Sequence, residues 1–173
     1  MRNNTTRRLC IGGIIAALYA VLTLALPMQS YGPIQLRFSE ALTVLPFFFP
    51  EAVPGLAVGC FIANLLGSPY VLDWVFGTLA SLIAALWTCR LKTRWLAPLP
   101  PVICNMVIIG AEIAWVESGF TPAFLPAWGY HALTVGLGEL LACYILGLLL
   151  VNLLPRIRYF RELVPQNRLD RLS

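Results

Sequence analysis

The sequence predicts an all-α integral membrane protein, a bundle of six helical segments, and three observations carry the prediction. Charged residues make up 12% of the 173-residue chain and hydrophobic ones 59%, whereas a soluble domain carries about 25% charged residues. The apolar residues fall in long continuous runs rather than short alternating stretches, which suits membrane helices and not barrel strands. Every basic residue except Arg37 lies outside those runs: Arg2, Arg7 and Arg8, then Arg90, Lys92 and Arg94, then the arginines from Arg156 to Arg171. That clustering is the positive-inside pattern of cytoplasmic ends and loops, so the formal charge of +4 reflects topology and not nucleic-acid binding.

The first segment, residues 9–28, is long enough to span. Arg7 and Arg8 ahead of it resemble the start of a secretion signal, but no convincing cleavage site follows, and the segment is expected to be retained. Gly12, Ala16 and Ala20 recur every four residues and share one face, where another backbone can approach closely. They are expected to form a docking face, with internal packing as the alternative. The connection MQSYGPIQLRF is polar and holds a Tyr31-Gly32-Pro33 turn; its Tyr31 and Gln35 are candidates for a lid over a site, a passive loop being the other reading.

Segments two (39–50) and three (51–67) are shorter than the roughly 20 residues a straight helix needs. Pro46 and Pro50 interrupt the second. They read either as two short tilted spans or as a re-entrant pair, and short Pro/Gly-interrupted segments are the pattern that marks transporter binding sites. Segments four (74–89), five (101–116) and six (128–154) complete the membrane domain, 1–154. Both termini then lie in the cytoplasm, with Arg37, Asp73, Glu117 and His131 at the outer face. In the basic tail, 155–173, Ile157, Phe160 and Val164 share one helical side, as expected of an interfacial helix on an anionic leaflet.

Chemistry is expected where charge interrupts the apolar runs. A charge within a bilayer costs about 2.5–3.5 kcal/mol on insertion scales and normally faces a cavity or a partner. Arg37 and Glu40, three residues apart, are placed to neutralise each other. One arginine cannot also neutralise Asp73, Glu112 and Glu139, so the surplus requires protonation, water or a cationic ligand. Asn64 on segment three, and Asn105, Glu112 and Trp115 near one face of segment five, add amides and an aromatic wall. Carboxylates, amides and tryptophan in an apolar pocket suit a flat polar heterocycle; each singly is also ordinary helix glue.

Several classes are excluded or left without support. With Lys92 the only lysine and no GxxxxGK[ST], the chain has no P-loop; HExxH and GxSxG are absent, and the single histidine has no triad partner in sequence. The five cysteines are scattered singly and read as small buried hydrophobes, so no metal, redox role or cofactor is expected. The chain is not expected to be an enzyme.

At IQLRFSEALTVLPFFFPEAVPGLAVGCFIANLLG, followed by Asp73 and FGTLASLIAAL, the sequence resembles the QueT family, substrate-binding (S) components of energy-coupling factor (ECF) transporters associated with queuosine precursors. The resemblance covers most of the chain from segment one to segment six. It implies a six-helix S component that captures substrate from outside, joins a transmembrane T component and two ATPase subunits, and topples in the membrane to release substrate inside. It assigns Ala16 and Ala20, extended by Gly12, to T-component docking, and the first outer loop to a lid. A 7-deazaguanine, in its aminomethyl form or as queuine, would then be read by Glu40, Asp73, Glu112 and Glu139, with Asn64 orienting the ring, Trp115 beside it and Arg37 facing its carbonyl or clamping Glu40. The competing readings are a proton-coupled secondary carrier using Glu112 or Glu139, an intramembrane hydrolase without a supporting motif, and a structural subunit whose acids only bind helices together.

Overall fold

The computed structural model describes residues 4–26 and 37–172. Tyr31 and Gln35 lie outside the described residues. Among these, four helical stretches are long and apolar enough to cross a membrane, Thr5–Ala25, Val71–Arg90, Arg94–Ser118 and Phe124–Arg156, and two are shorter, Phe38–Phe47 and Ala52–Gly67. These are the six segments, and the chain is an all-helical membrane protein.

The first helix, α1 (Asn4–Ala25), has 22 residues. At 1.5 Å per residue it covers about 33 Å, enough for the hydrocarbon core. The second, α2 (Phe38–Phe47), is wound as a 3-10 helix of ten residues with Pro46 inside it. Proline cannot donate to the preceding turn and crowds an α-helical one. At about 2.0 Å per residue, 3-10 winding stretches these ten residues to roughly 20 Å. After it come α3 (Ala52–Gly67), α4 (Val71–Arg90) and α5 (Leu99–Ser118). The last, α6, runs Phe124–Leu140, widens to a π-helix over Leu141–Gly147, and closes with Leu148–Leu153.

Helices α1, α3, α4, α5 and α6 pack in succession, and α2 is held among them, against the π-helical part of α6, α4 and α1. Its burial fits its composition: Ala41, Val44, Leu45 and Phe47 are all buried, and so are its polar residues Ser39, Glu40 and Thr43. The outer surface is apolar too. Leu9, Ile14, Leu18 and Val21 of α1 are exposed while Thr23, Ser39 and Glu40 are buried, the inverted polarity of a chain whose solvent is lipid.

The small-residue stripe of α1 takes part in internal packing, the second of its two readings. Beside α3, a Cβ added at Gly55 would lie 2.6 Å from the Gly12 carbonyl oxygen, and one at Gly59 would lie 2.7 Å from that of Ala16. Ala16 and Ala20 are buried. Gly12, Ala16 and Ala20 therefore seat α1 on the Gly55 and Gly59 face of α3, a small-xxx-small contact inside the bundle. That face is filled and is not open to a partner chain.

The tail does more than follow the last span. Short helices at Arg158–Leu163 and Gln166–Leu169 fold under the bundle. Phe160 meets Phe48 and Phe49 edge to face at ring-centroid distances of 5.3 and 5.2 Å, and Val164 is buried. Arg168 donates to the Cys89 carbonyl at 2.6 Å, and Arg171 to those of Cys89 and Leu91 at 3.2 and 2.9 Å. These guanidiniums satisfy carbonyls at the C-terminus of α4, where the helix dipole favours positive charge.

Candidate functional site

The polar groups of the membrane domain collect at the Arg37 end of α2. Arg37, Glu40, Asp73, Glu112 and Glu139 are all buried, as are Asn64 and Asn105. They arrive on five elements, two each from α2 and α5 and one each from α3, α4 and α6. Arg37 lies within electrostatic range of Glu40 and Asp73, of Glu112 and of Glu139. It is the shared positive centre of two groups.

The first group joins α1, α2, α5 and α6. The Tyr19 hydroxyl donates to Glu40 Oε1, while Glu40 Oε2 is buried with no hydrogen-bond partner among the described residues. Asn105 Nδ2 donates to Glu139 Oε1 at 2.9 Å, and the Cys143 thiol reaches Glu139 Oε2 at 3.5 Å. Thr43 donates to the Glu40 carbonyl at 2.5 Å. Ligand atoms of Glu40, Glu139 and Cys143 lie within 4.8 Å of one another, so this group could gather around one cation, metal or ammonium. It stands where the 3-10 helix meets the π-helix, and π-helical turns occur often at functional sites.

The second group joins α3, α4 and α5. Ser68 donates to Asp73 Oδ2 at 2.5 Å, and Asn64 Nδ2 donates to the Asp73 carbonyl at 2.8 Å. A Cβ at Gly77 would lie 2.5 Å from Asn64 Nδ2, so glycine there leaves the amide its place. The Glu112 carboxyl lies against that of Asp73, side chain to side chain. Glu112 Oε2 and Trp74 Nε1 are buried without hydrogen-bond partners among the described residues.

A buried polar atom left unsatisfied costs about 1–3 kcal/mol, more when charged. Two carboxylate oxygens and an indole N–H in that state leave hydrogen-bonding capacity that no described residue fills.

The structure thus brings together Arg37, Glu40, Asn64, Asp73, Glu112 and Glu139. It does not bring Trp115 to them. That ring is 39% exposed and packs on Phe120 at 5.9 Å, at the start of an aromatic row through Phe124 to Trp128. Three residues along a helix is 60° short of a full turn, and that offset turns Trp115 outward while Glu112 points in. Sequence reasoning also passed over Tyr19, Ser68 and two cysteines. Cys143 touches Glu139, and Cys60 accepts from Asn64 Nδ2 at 3.5 Å, so the reading of all cysteines as inert hydrophobes is corrected at these two.

A multi-pass helical membrane protein with carboxylates, amides and an arginine turned inward around a common centre has the build of a small-solute transporter. The chain belongs to the QueT transporter family, whose model matches residues 9–156. It is 30% identical over 161 residues to the queuosine precursor transporter QueT of Lactococcus lactis subsp. cremoris (strain MG1363), covering 84% of this chain and 90% of that one. No solved structure matches the chain.

Proposed function

We propose that this chain is the substrate-capture (S) component of an ECF importer for a queuosine precursor, a 7-deazaguanine carrying a positive charge. It would sit in the cytoplasmic membrane of a prokaryote with both termini inside, take its ligand from the outer face at the Arg37 end of α2, and deliver it inward by toppling with a T component and two ATPases. The observation that carries the reading is the charge imbalance: among the described residues four buried carboxyl groups face one buried arginine. A deazaguanine offers an N–H edge to the Asp73 and Glu112 pair and a carbonyl to Arg37 or Trp74. Its aminomethyl group, or the amine of queuine, would complete the Glu40 and Glu139 pair, which a neutral nitrile would leave uncompensated.

The T component needs a different face from the filled one. Gly13 and Ala17 remain on the outer surface of α1, and Gly13 has open space beside it. A partner helix would approach there.

The test is equilibrium binding of the purified chain in nanodiscs to the aminomethyl base, its nitrile analogue, queuine, guanine and riboflavin. Tight binding of an amine-bearing deazaguanine with guanine rejected is the expected result. Absence of binding by a folded sample would overturn the capture reading. The alternative, a proton-coupled carrier, rests on the abutting Asp73 and Glu112 carboxyls. Uptake without ATPase partners would favour it.

A further inference from the structure

A second polar site lies at the opposite end of the bundle, on the membrane face where α1 begins and the tail folds back. A cavity of about 120 Å³ opens there between Arg7, Arg8 and Glu51, floored by Ile11 and Phe49. The tail supplies the remaining wall at Leu163 and Pro165.

Two arginines against one glutamate leave one positive charge on the lining, and the pairing shows which arginine carries it. Arg8 Nε is 3.0 Å from Glu51 Oε1, so Glu51 is already engaged. Arg7 spends Nη2 on the main-chain carbonyl of Leu163, a neutral acceptor, and its Nε is buried without a hydrogen-bond partner among the described residues. A guanidinium has five donors in a planar fork and binds phosphate oxygens through two of them at once. A guanidinium that lines the cavity and holds one N–H without an acceptor among the described residues, beside a net single positive charge, fits a monoanion that brings its own oxygens.

The depth of the cavity says what the anion is attached to. It lies where α1 enters the hydrocarbon: Ile14 and Leu18, seven and eleven residues after Arg7 and so on its side of the helix, are 60% and 47% exposed. A ligand held by Arg7 therefore has an apolar wall running from it along the outside of α1. We propose that this cavity holds the phosphodiester of an anionic glycerophospholipid, with its acyl chains along the Ile14 and Leu18 face. Because Arg7 also holds Leu163, such a lipid fastens the tail to α1 and tightens its aromatic contact with Phe48 and Phe49.

The test is thermal unfolding of the purified full chain in detergent during titration with phosphatidylglycerol, phosphatidylcholine or inorganic phosphate, with native mass spectrometry counting retained lipids. Phosphatidylglycerol is expected to raise Tm by about 5–10 °C at a hundredfold excess over its dissociation constant. The shift should saturate with one retained lipid, while the other two have little effect. In Arg7→Lys, which keeps the charge and a donor for Leu163 but lacks Nε, the shift should fall by at least half and the retained lipid be lost. Arg161→Gln, exposed and outside the cavity, should keep both. A wild-type response in Arg7→Lys, or an equal response to phosphatidylcholine, would overturn the site. Reproduction of the shift by inorganic phosphate alone would overturn the lipid assignment, and if Arg7→Lys does not fold, the lipid count on the wild-type chain decides by itself.

Discussion

The two ends of α2 are made of opposite materials. At one, Arg37 and Glu40 meet Glu139, Asp73 and Glu112, with two carboxylate oxygens left unsatisfied. At the other, Phe47 and Phe48 are fully buried, stand edge to face at 5.3 Å, and are continued by Phe160 of the tail. Within roughly 20 Å of one 3-10 helix the chain passes from a charged centre to an aromatic plug. The charged end sacrifices stability, since unsatisfied buried acids are costly. The aromatic end gives it back, since each buried ring removes much apolar area and gains from edge-to-face contact. On the proposed function, ligand recognition and structural integrity fall to different halves of the same element, and substitutions should separate them.

The largest separation is expected from Phe48→Ala. Removing a fully buried phenylalanine costs about 3–5 kcal/mol, and the loss should appear as a large drop in Tm, while the fraction that stays folded binds ligand with near wild-type affinity. If affinity fell in proportion to stability, the two ends would be one unit. The converse variant is Glu40→Gln, which keeps an acceptor for the Tyr19 hydroxyl and removes the charge. Affinity for an amine-bearing deazaguanine should fall by about 10- to 100-fold, as for losing a charge-assisted hydrogen bond. Affinity for the nitrile analogue should change little and Tm should hold or rise. Equal losses for both ligands, measured by titration calorimetry, would show that Glu40 shapes the site without reading charge.

Gly77→Ala sharpens the comparison at the rim of the site. The new methyl would sit 2.5 Å from Asn64 Nδ2 and displace the amide from the Asp73 carbonyl. If Asn64 contacts the ligand as proposed, moving the amide costs one hydrogen bond to it, about 1 kcal/mol or roughly fivefold weaker binding. Binding unchanged from wild type would take Asn64 out of the ligand's first contacts.

What the sequence made legible follows from contrast. A carboxylate or arginine in an apolar run is conspicuous, because each costs free energy that something must return; Arg37, Glu40, Asp73, Glu112 and Glu139 were found that way, and so were the spans around them. Tyr19 and Cys143 were not, because they are at home in apolar helices and only the Glu40 and Glu139 beside them in the fold make them polar partners. The pairing of Gly12, Ala16 and Ala20 was hidden for a related reason: periodicity shows that a face is smooth, and only the position of Gly55 and Gly59 on α3 shows what lies on it. The 3-10 winding of α2 could be suspected from Pro46 and the shortness of the run, but the π-turn beside it carries no proline or glycine pair to announce it. The 60° offset of Trp115 from Glu112 lay within what a face assignment from spacing can resolve.

The smallest effect tests the aromatic end through its fastening. Arg168 donates to Cys89 and, at 3.4 Å, to the Phe47 carbonyl, so it ties the tail both to the end of α4 and to the foot of α2. Arg171 shares the Cys89 carbonyl, and its presence limits the damage when Arg168 is lost. Arg168→Gln should therefore cost only about 1 kcal/mol, the range of a C-terminal cap and its dipole interaction. That amount barely moves Tm, but it falls on a local opening of the tail, whose short helices are expected to open at a lower free energy than the bundle. Hydrogen exchange over residues 158–172 should accelerate by about fivefold, the factor that 1 kcal/mol sets, while amides of α4 and α5 keep their rates. Acceleration spreading to Glu40 and Thr43 would mean that the plug and the charged centre open together, and the division of α2 into two independent halves would fail.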